Sequence, residues 1–173
     1  VGLEQLQDES LMKRSHRLVG PPSIHASLIE GGRELSTYPD HCKLQVERRF
    51  IPGETRDDIE KELNTLLTSI GKTDSKFDGN FKITFFRGPL EVATDEEICK
   101  TLIKCSKEIR GETPHFVGES GWMDTQIIAQ KGAPAVAFGP IGSGSHAAIE
   151  YVDTDSVIDT ARVLEKVITQ FCN

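Results

Sequence analysis

The chain has 173 residues, 37% of them hydrophobic and 27% charged, with a formal net charge of -7. That length suits one ordinary domain or two small ones with a real core. The acidic balance, with Lys and Arg scattered rather than striped, argues against nucleic acid or an anionic membrane as a main partner.

No apolar stretch approaches the ~20 residues that span a bilayer. The opening Val1-Gly2-Leu3-Glu4-Gln5-Leu6 lacks the basic and apolar regions of a signal peptide. The chain starts without Met, as a processed product or a piece cut from a longer protein would. Cys42, Cys99, Cys105 and Cys172 lie far apart and outside CxxC spacing, so a zinc knuckle is not expected. They read as buried, reduced thiols of a cytoplasmic protein.

In chain order, Leu3 to Met12 reads as the end of a helix, with Leu3, Leu6 and Leu11 as its apolar residues. A basic, turn-rich link leads to Pro21-Pro22. Ser23 to Ile29 reads as a strand ended by Gly31-Gly32, and Ser36 to Asp40 is turn chemistry. Cys42, Leu44 and Val46 alternate with polar residues up to Phe50, which predicts a strand with one wet face. Pro52-Gly53 stops it. Thr55 then caps a helix to about Ile70, with Ile59, Leu63, Leu66, Leu67 and Ile70 as its apolar stripe. Phe81 to Phe85 alternates as a third strand.

A boundary falls at Gly88-Pro89. Thr94 is the expected cap of a helix over 95–110, with Ile98, Leu102, Cys105 and Ile109 buried. Short strands are expected at Pro114 to Val117 and Ala135 to Phe138, with a short helix over Asp124 to Gln130 between them. A final helix starts at Asp153 or Thr154 and runs to Phe171, with Val157, Ile158, Ala161, Leu164, Val167, Ile168 and Phe171 inward. Residues 1–88 thus form an α+β layer with an antiparallel sheet. Residues 89–173 alternate helix and strand, as a parallel α/β sheet would.

Between the last expected strand and the last helix lies Phe138-Gly139-Pro140-Ile141-Gly142-Ser143-Gly144-Ser145-His146, followed by Glu150. Strand-to-loop-to-helix junctions gather ligands and catalytic groups in α/β proteins. A single His there is open to three roles: metal ligand, acid/base group or surface residue.

Three blocks resemble the dinuclear zinc amidohydrolases that include acetylornithine deacetylase, succinyl-diaminopimelate desuccinylase and carboxypeptidase G. The first is Ile29-Glu30-Gly31-Gly32, Tyr38-Pro39-Asp40, Glu47-Arg48-Arg49 and Pro52-Gly53-Glu54. The second is Gly121-Trp122-Met123-Asp124 with Gly132-Ala133-Pro134, and the third is Phe138-Gly139-Pro140 with His146 and Glu150. The Tyr-Pro-Asp and Arg-Arg variants look most like acetylornithine deacetylases.

The resemblance implies that 1–88 is a lid, or dimerisation, domain lacking its first strand. It implies that 89–173 is the C-terminal α/β part of a zinc-exopeptidase-like catalytic domain. His146 is then the last ligand of a two-zinc site, which cobalt or manganese can also fill, and Glu150 its hydrogen-bonding support or a helix-start acid. Arg49 and Ser36 match positions that reach substrate in relatives, often across a dimer. Relatives often carry Asn where Ser36 stands, so the shorter side chain marks a departure. Gly121 matches a substrate loop, and Ser143 lines the loop beside His146.

The His-x-Asp motif, the Glu-Glu pair and a further acidic ligand of such enzymes are not found here. Asp95-Glu96-Glu97 reads instead as acids at a helix start. His16, His25, His41 and His115 read as structural or exposed. The expected function is therefore part of an enzyme that removes an acyl group from an N-acyl amino acid, with no catalytic residue in this chain and no activity by the chain alone. A carboxypeptidase or dipeptidase acting on a small peptide is the neighbouring enzyme reading. A non-catalytic module that forms a homodimer through the lid is the reading from another class. Neither nucleic acid nor membrane is an expected partner.

Overall fold

Capping chemistry sets the helix starts. Thr55 Oγ1 accepts from the Asp58 amide while the Asp58 side chain accepts from the Thr55 amide, a reciprocal capping box that begins a helix at Arg56. At the last helix, the Asp153 carboxylate accepts from the Ser156 amide at 2.7 Å. The computed structural model describes residues 2–172 and divides into two units.

The first unit holds the segment up to Pro89 together with Val117–Trp122. Its elements are α1 (Gly2–Glu9), a single 3-10 turn (Leu11–Lys13), β1 (Ser23–Gly31), β2 (Cys42–Arg49) and α2 (Arg56–Thr73). The two strands pair antiparallel from Ser23 opposite Arg49 to Gly31 opposite Cys42, with a bulge between Ala26 and Leu28. Gln7 on α1 accepts from the Ile24 amide at 2.9 Å and ties the first helix to the hairpin. Along α2, Ile59 is buried and Leu63, Leu66, Leu67 and Ile70 are half-buried, as their spacing predicts.

At the open end of the hairpin, acids and arginines interlock. Arg48 Nε donates to Glu62 at 3.0 Å and Arg48 Nη2 to Glu54 at 2.9 Å. Arg14 reaches the same two carboxylates, each at 2.5 Å. The Arg48, Glu54 and Glu62 side chains are only 6%, 9% and 10% exposed. Burial pushes the Glu62 carboxyl up, but hydrogen bonds from Arg48 and Arg14 outweigh it and hold its pKa below the ordinary value. Burial likewise opposes the Arg48 charge, and its bonds to Glu62 and Glu54 more than restore it.

The second unit holds Leu90–Phe116 and the segment from Met123 onward. Its elements are α3 (Glu97–Arg110), α4 (Thr125–Gln130), the short strands β3 (Gly142–Ser143) and β4 (Tyr151–Val152), and α5 (Thr154–Phe171). Leu102 and Cys105 of α3 pack with Val163 and Val167 of α5, and Ile98, Ile109, Val136, Phe138 and Phe171 close around them.

Several expectations differ from what is observed. Thr94 does not cap α3, which starts at Glu97 after Glu96, without a side-chain cap. Residues 81–85, 114–117 and 135–138 join no ladder, and the described residues contain two antiparallel pairs and no parallel one. Alternation marks an apolar face, whereas a strand also needs a hydrogen-bonded neighbour. Phe86 beside the first segment is held by ring stacking on Phe50 at 5.1 Å, and Val136 and Phe138 by the helix core.

The inward face of α5 also differs. Ser156, Thr160, Val163 and Val167 are buried, while Val157, Ile158, Ala161, Leu164 and Ile168 are exposed. The helix is apolar on more than one face, and α3 covers the narrower one. Among the cysteines, Cys99 and Cys105 are buried but Cys42 and Cys172 are exposed, and all four are free thiols.

Removing Arg48 leaves two carboxylates with one cation between them. Arg48→Met should lower unfolding free energy in urea by about 3 kcal/mol, whereas truncating the exposed Arg49 to Met should change it little. Glu62 has a depressed folded-state pKa, so its contribution is full above the unfolded value and is lost as pH falls through the folded one. Thermal midpoints of wild type and Glu62→Gln should therefore differ most near neutral pH and converge only once the pH has fallen through the depressed folded-state pKa of Glu62.

Candidate functional site

The hairpin separates two of the residues implied in substrate contact. Arg49 closes β2 opposite Ser23, while Ser36 lies in the exposed turn beyond Gly31 and Cys42, at the other end. Eight paired positions at about 3.3 Å each put them roughly 25 Å apart. One small ligand cannot touch both within a single copy of this unit. The adjacent arginines point to opposite sides, as strand geometry requires. Arg48 enters the ion cluster, and Arg49 stays 43% exposed with Nε donating to Glu47 at 3.2 Å.

Gly121 sits in an exposed bend, with its amide donating to Glu119 at 3.2 Å. A Cβ built there would meet nothing nearer than 3.6 Å. Packing within the unit therefore does not demand glycine at this position. Asp124 occupies the position before α4 but makes no side-chain cap.

In the second unit, β3 and β4 form a minimal hairpin: Gly142 lies opposite Val152 and Ser143 opposite Tyr151. Asp153 donates its amide to the Ile141 carbonyl, and the Ile141 amide donates to Ser156 Oγ at 2.9 Å. These bonds anchor the loop to the first turn of α5. Ser143 and Glu150 line one open pocket with Gly144, Tyr151 and Val152.

His146 lies in the same loop, exposed, with φ at 62°. It is the one non-glycine residue with positive φ among the described residues. Left-handed backbone costs an L-residue roughly 1–2 kcal/mol. Strain of this kind persists where surrounding structure holds it, often at functional sites. Glu150 makes no hydrogen bond to His146 among the described residues, and it precedes the first turn of α5 rather than sitting in it.

No three His, Cys, Asp or Glu side chains gather into a metal-holding group among the described residues. His16, His25 and His41 belong to the first unit, and His115 and His146 to the second. The donor set among the described residues therefore does not by itself complete a metal centre. Spacing gave no warning of the Arg14–Glu54–Arg48–Glu62 cluster, because its members lie up to 48 positions apart.

The first unit is thus an antiparallel hairpin with two helices, and the second a helix pair with a short glycine-rich hairpin. Residues 3–75 match the family model described as the peptidase dimerisation domain of M20 proteins. The chain is 25% identical to acetylornithine deacetylase of Myxococcus xanthus over 88% of its own length and 39% of that protein. It is 22% identical to N-formyl-4-amino-5-aminomethyl-2-methylpyrimidine deformylase of Bacillus subtilis, over 89% of this chain and 39% of the relative. Succinyl-diaminopimelate desuccinylase of Pseudoalteromonas translucida is 23% identical, over 84% and 38%.

In fold, the chain is similar to an M20 family metallo-carboxypeptidase from Sulfolobus solfataricus, with a TM-score of 0.62 and 18% identity, over 85% of this chain and 35% of that one. The chain thus spans about two-fifths of the length of the curated relatives it matches. No helix among the described residues is long and apolar enough to cross a membrane.

Because the loop, and not the imidazole, holds the strained backbone, His146→Gly should leave the thermal midpoint equal or higher. Differential scanning calorimetry on the 173-residue chain reads this directly; a large drop would show that the His146 side chain itself supports the fold.

Proposed function

We propose that this chain is the lid and C-terminal portion of a metal-dependent amidohydrolase acting on an N-acyl amino acid, with residues 1–88 as the lid and 89–173 as part of the catalytic domain. One observation carries the reading: the positive-φ His146 loop lies in a chain whose residues 3–75 match the M20 dimerisation-domain model. Curated relatives of several acyl specificities point to amide hydrolysis in general. The acetylornithine-like variants at Tyr38-Pro39-Asp40 and Arg48-Arg49 favour an acetylated amino acid.

In this reading His146 supplies one neutral imidazole donor to a zinc site whose other ligands lie outside the 173 residues. Bound metal would polarise the scissile carbonyl and activate water. Ser143 and Gly121 are substrate-contacting positions in this reading, and Glu150 is support for His146. Arg49 and Ser36, at opposite ends of the hairpin, serve active sites of different protomers in a homodimer. The exposed stripe of α5 packs against the missing part of the catalytic domain, since a helix apolar on two sides is normally buried on both.

The test is a full-length protein carrying this segment, assayed with N-acetylornithine, other N-acyl amino acids and dipeptides in the presence of zinc, cobalt or manganese. Hydrolysis of the acyl amino acid is expected, and His146→Ala should cut bound metal and lower the rate by at least about a hundredfold. Preference for dipeptides would transfer the reading to a peptidase. Metal-dependent turnover by the 173-residue chain alone would refute its assignment as a partial site.

A second reading, a dimerisation module without catalysis, is favoured by the family match falling on 3–75 alone. Exposed Leu28, Ile29, Leu44 and Val46 give the hairpin apolar surface for a second copy. Sedimentation should show a dimer that dissociates on dilution, and Ile29→Lys should shift it to monomer; a concentration-independent monomer would count against dimerisation in either reading.

A further inference from the structure

Arg87 differs from most arginines of this acidic chain. Arg14, Arg33, Arg48, Arg49, Arg56, Arg110 and Arg162 each sit beside a carboxylate. Arg87 has no carboxylate partner among the described residues. Its guanidinium carbon lies 4.6 Å from the centre of the Phe85 ring and 5.6 Å from that of Trp122. Both separations are within cation–π range. Its one hydrogen bond runs from Nη1 to the neighbouring Phe86 carbonyl at 3.1 Å.

Aromatic faces hold a guanidinium by its plane and leave its in-plane N–H donors available. Those donors match a carboxylate in two-point fashion. Holding the side chain over two rings beforehand reduces the ordering cost of binding. Phe85 is 70% exposed and Trp122 44%, so the rings also offer apolar surface beside the charge. Trp122 follows Gly121, where a Cβ would meet nothing nearer than the Glu119 side chain at 3.6 Å. Phe85, Arg87 and the Gly121–Trp122 turn all belong to the first unit.

We propose that Arg87, held over Phe85 and Trp122, is a carboxylate-binding residue that takes the carboxylate of an N-acyl amino acid, with the acyl portion lying along the rings. The choice of this ligand rests on the function proposed above. The site itself rests on the arginine's geometry and its lack of an internal acid. It adds a second cation to the substrate surface, at a position separate from Arg49.

Trp122 is the single tryptophan of the chain and reports on the site directly. The 173-residue protein is titrated with N-acetylglycine, and in parallel with N-acetylglycinamide at matched ionic strength, while tryptophan emission is followed. The carboxylate should give a saturable change, with the amide binding about tenfold or more weakly. Arg87→Gln should abolish the response and Arg87→Lys weaken it while retaining the preference for carboxylate, with circular dichroism confirming that both variants fold. An equal response to the amide, an unaltered response in folded Arg87→Gln, or no saturable response overturns the proposal. The two readings fail separately. Carboxylate binding without hydrolysis by the full-length protein keeps this site and removes the enzyme reading. Hydrolysis with KM unchanged in Arg87→Gln keeps the enzyme reading and removes this site.

Discussion

The paired arginines and glutamates at the base of the β1–β2 hairpin are the interaction on which the first unit depends. A two-stranded ribbon with nearly every residue exposed has little stability of its own. Arg48 anchors the end of β2 to Glu62 on α2 and to Glu54 in the intervening turn, and Arg14 brings in the segment after α1. Three parts of the chain are thereby held in one register. Because the charges are largely withdrawn from water, the cluster contributes more to geometry than to net stability; replacing such pairs with apolar side chains often costs nothing. It also decides which arginine is left to act: with Arg48 turned inward, Arg49 must project from the other face.

The second unit relies on apolar packing instead. The α3–α5 seam is small, and the loop that carries His146 is held to it by Ser156, which serves both the α5 cap and the Ile141 backbone. Capping, loop placement and the left-handed backbone at His146 are therefore one connected construction. Deforming the first turn of α5 would move the imidazole. Two buried polar atoms in this unit, Gln126 Oε1 and Thr160 Oγ1, have no hydrogen-bond partner among the described residues.

Much of the fold was legible in the sequence. Thr55 and Asp153 announced their helices by side-chain chemistry acting over three residues, and α2 buries the stripe that its spacing predicts. The β1–β2 hairpin followed from the Gly31-Gly32 stop and the alternation from Cys42. The extended segments 81–85, 114–117 and 135–138 were legible only as apolar patterns, because pairing depends on a neighbour that no local pattern specifies. The same limit applied to α5, where two apolar faces competed and only the position of α3 selected one. For the candidate site, sequence blocks placed His146, Ser143 and Glu150 on one loop, while the separation of Ser36 from Arg49 came from the strand register.

By itself, then, the sequence determined the local grammar of this protein: where helices begin, where the chain turns, and which blocks resemble amide hydrolases. Those signals act over one to four residues or along a single strand, so they survive without tertiary context. Only the tertiary structure decided which arginine is buried, which face of α5 is covered, that His146 occupies a left-handed backbone, and that Arg87 rests on aromatic rings rather than on an acid. Each of these depends on a partner far along the chain, and a partner is selected by packing and electrostatics that no local spacing encodes.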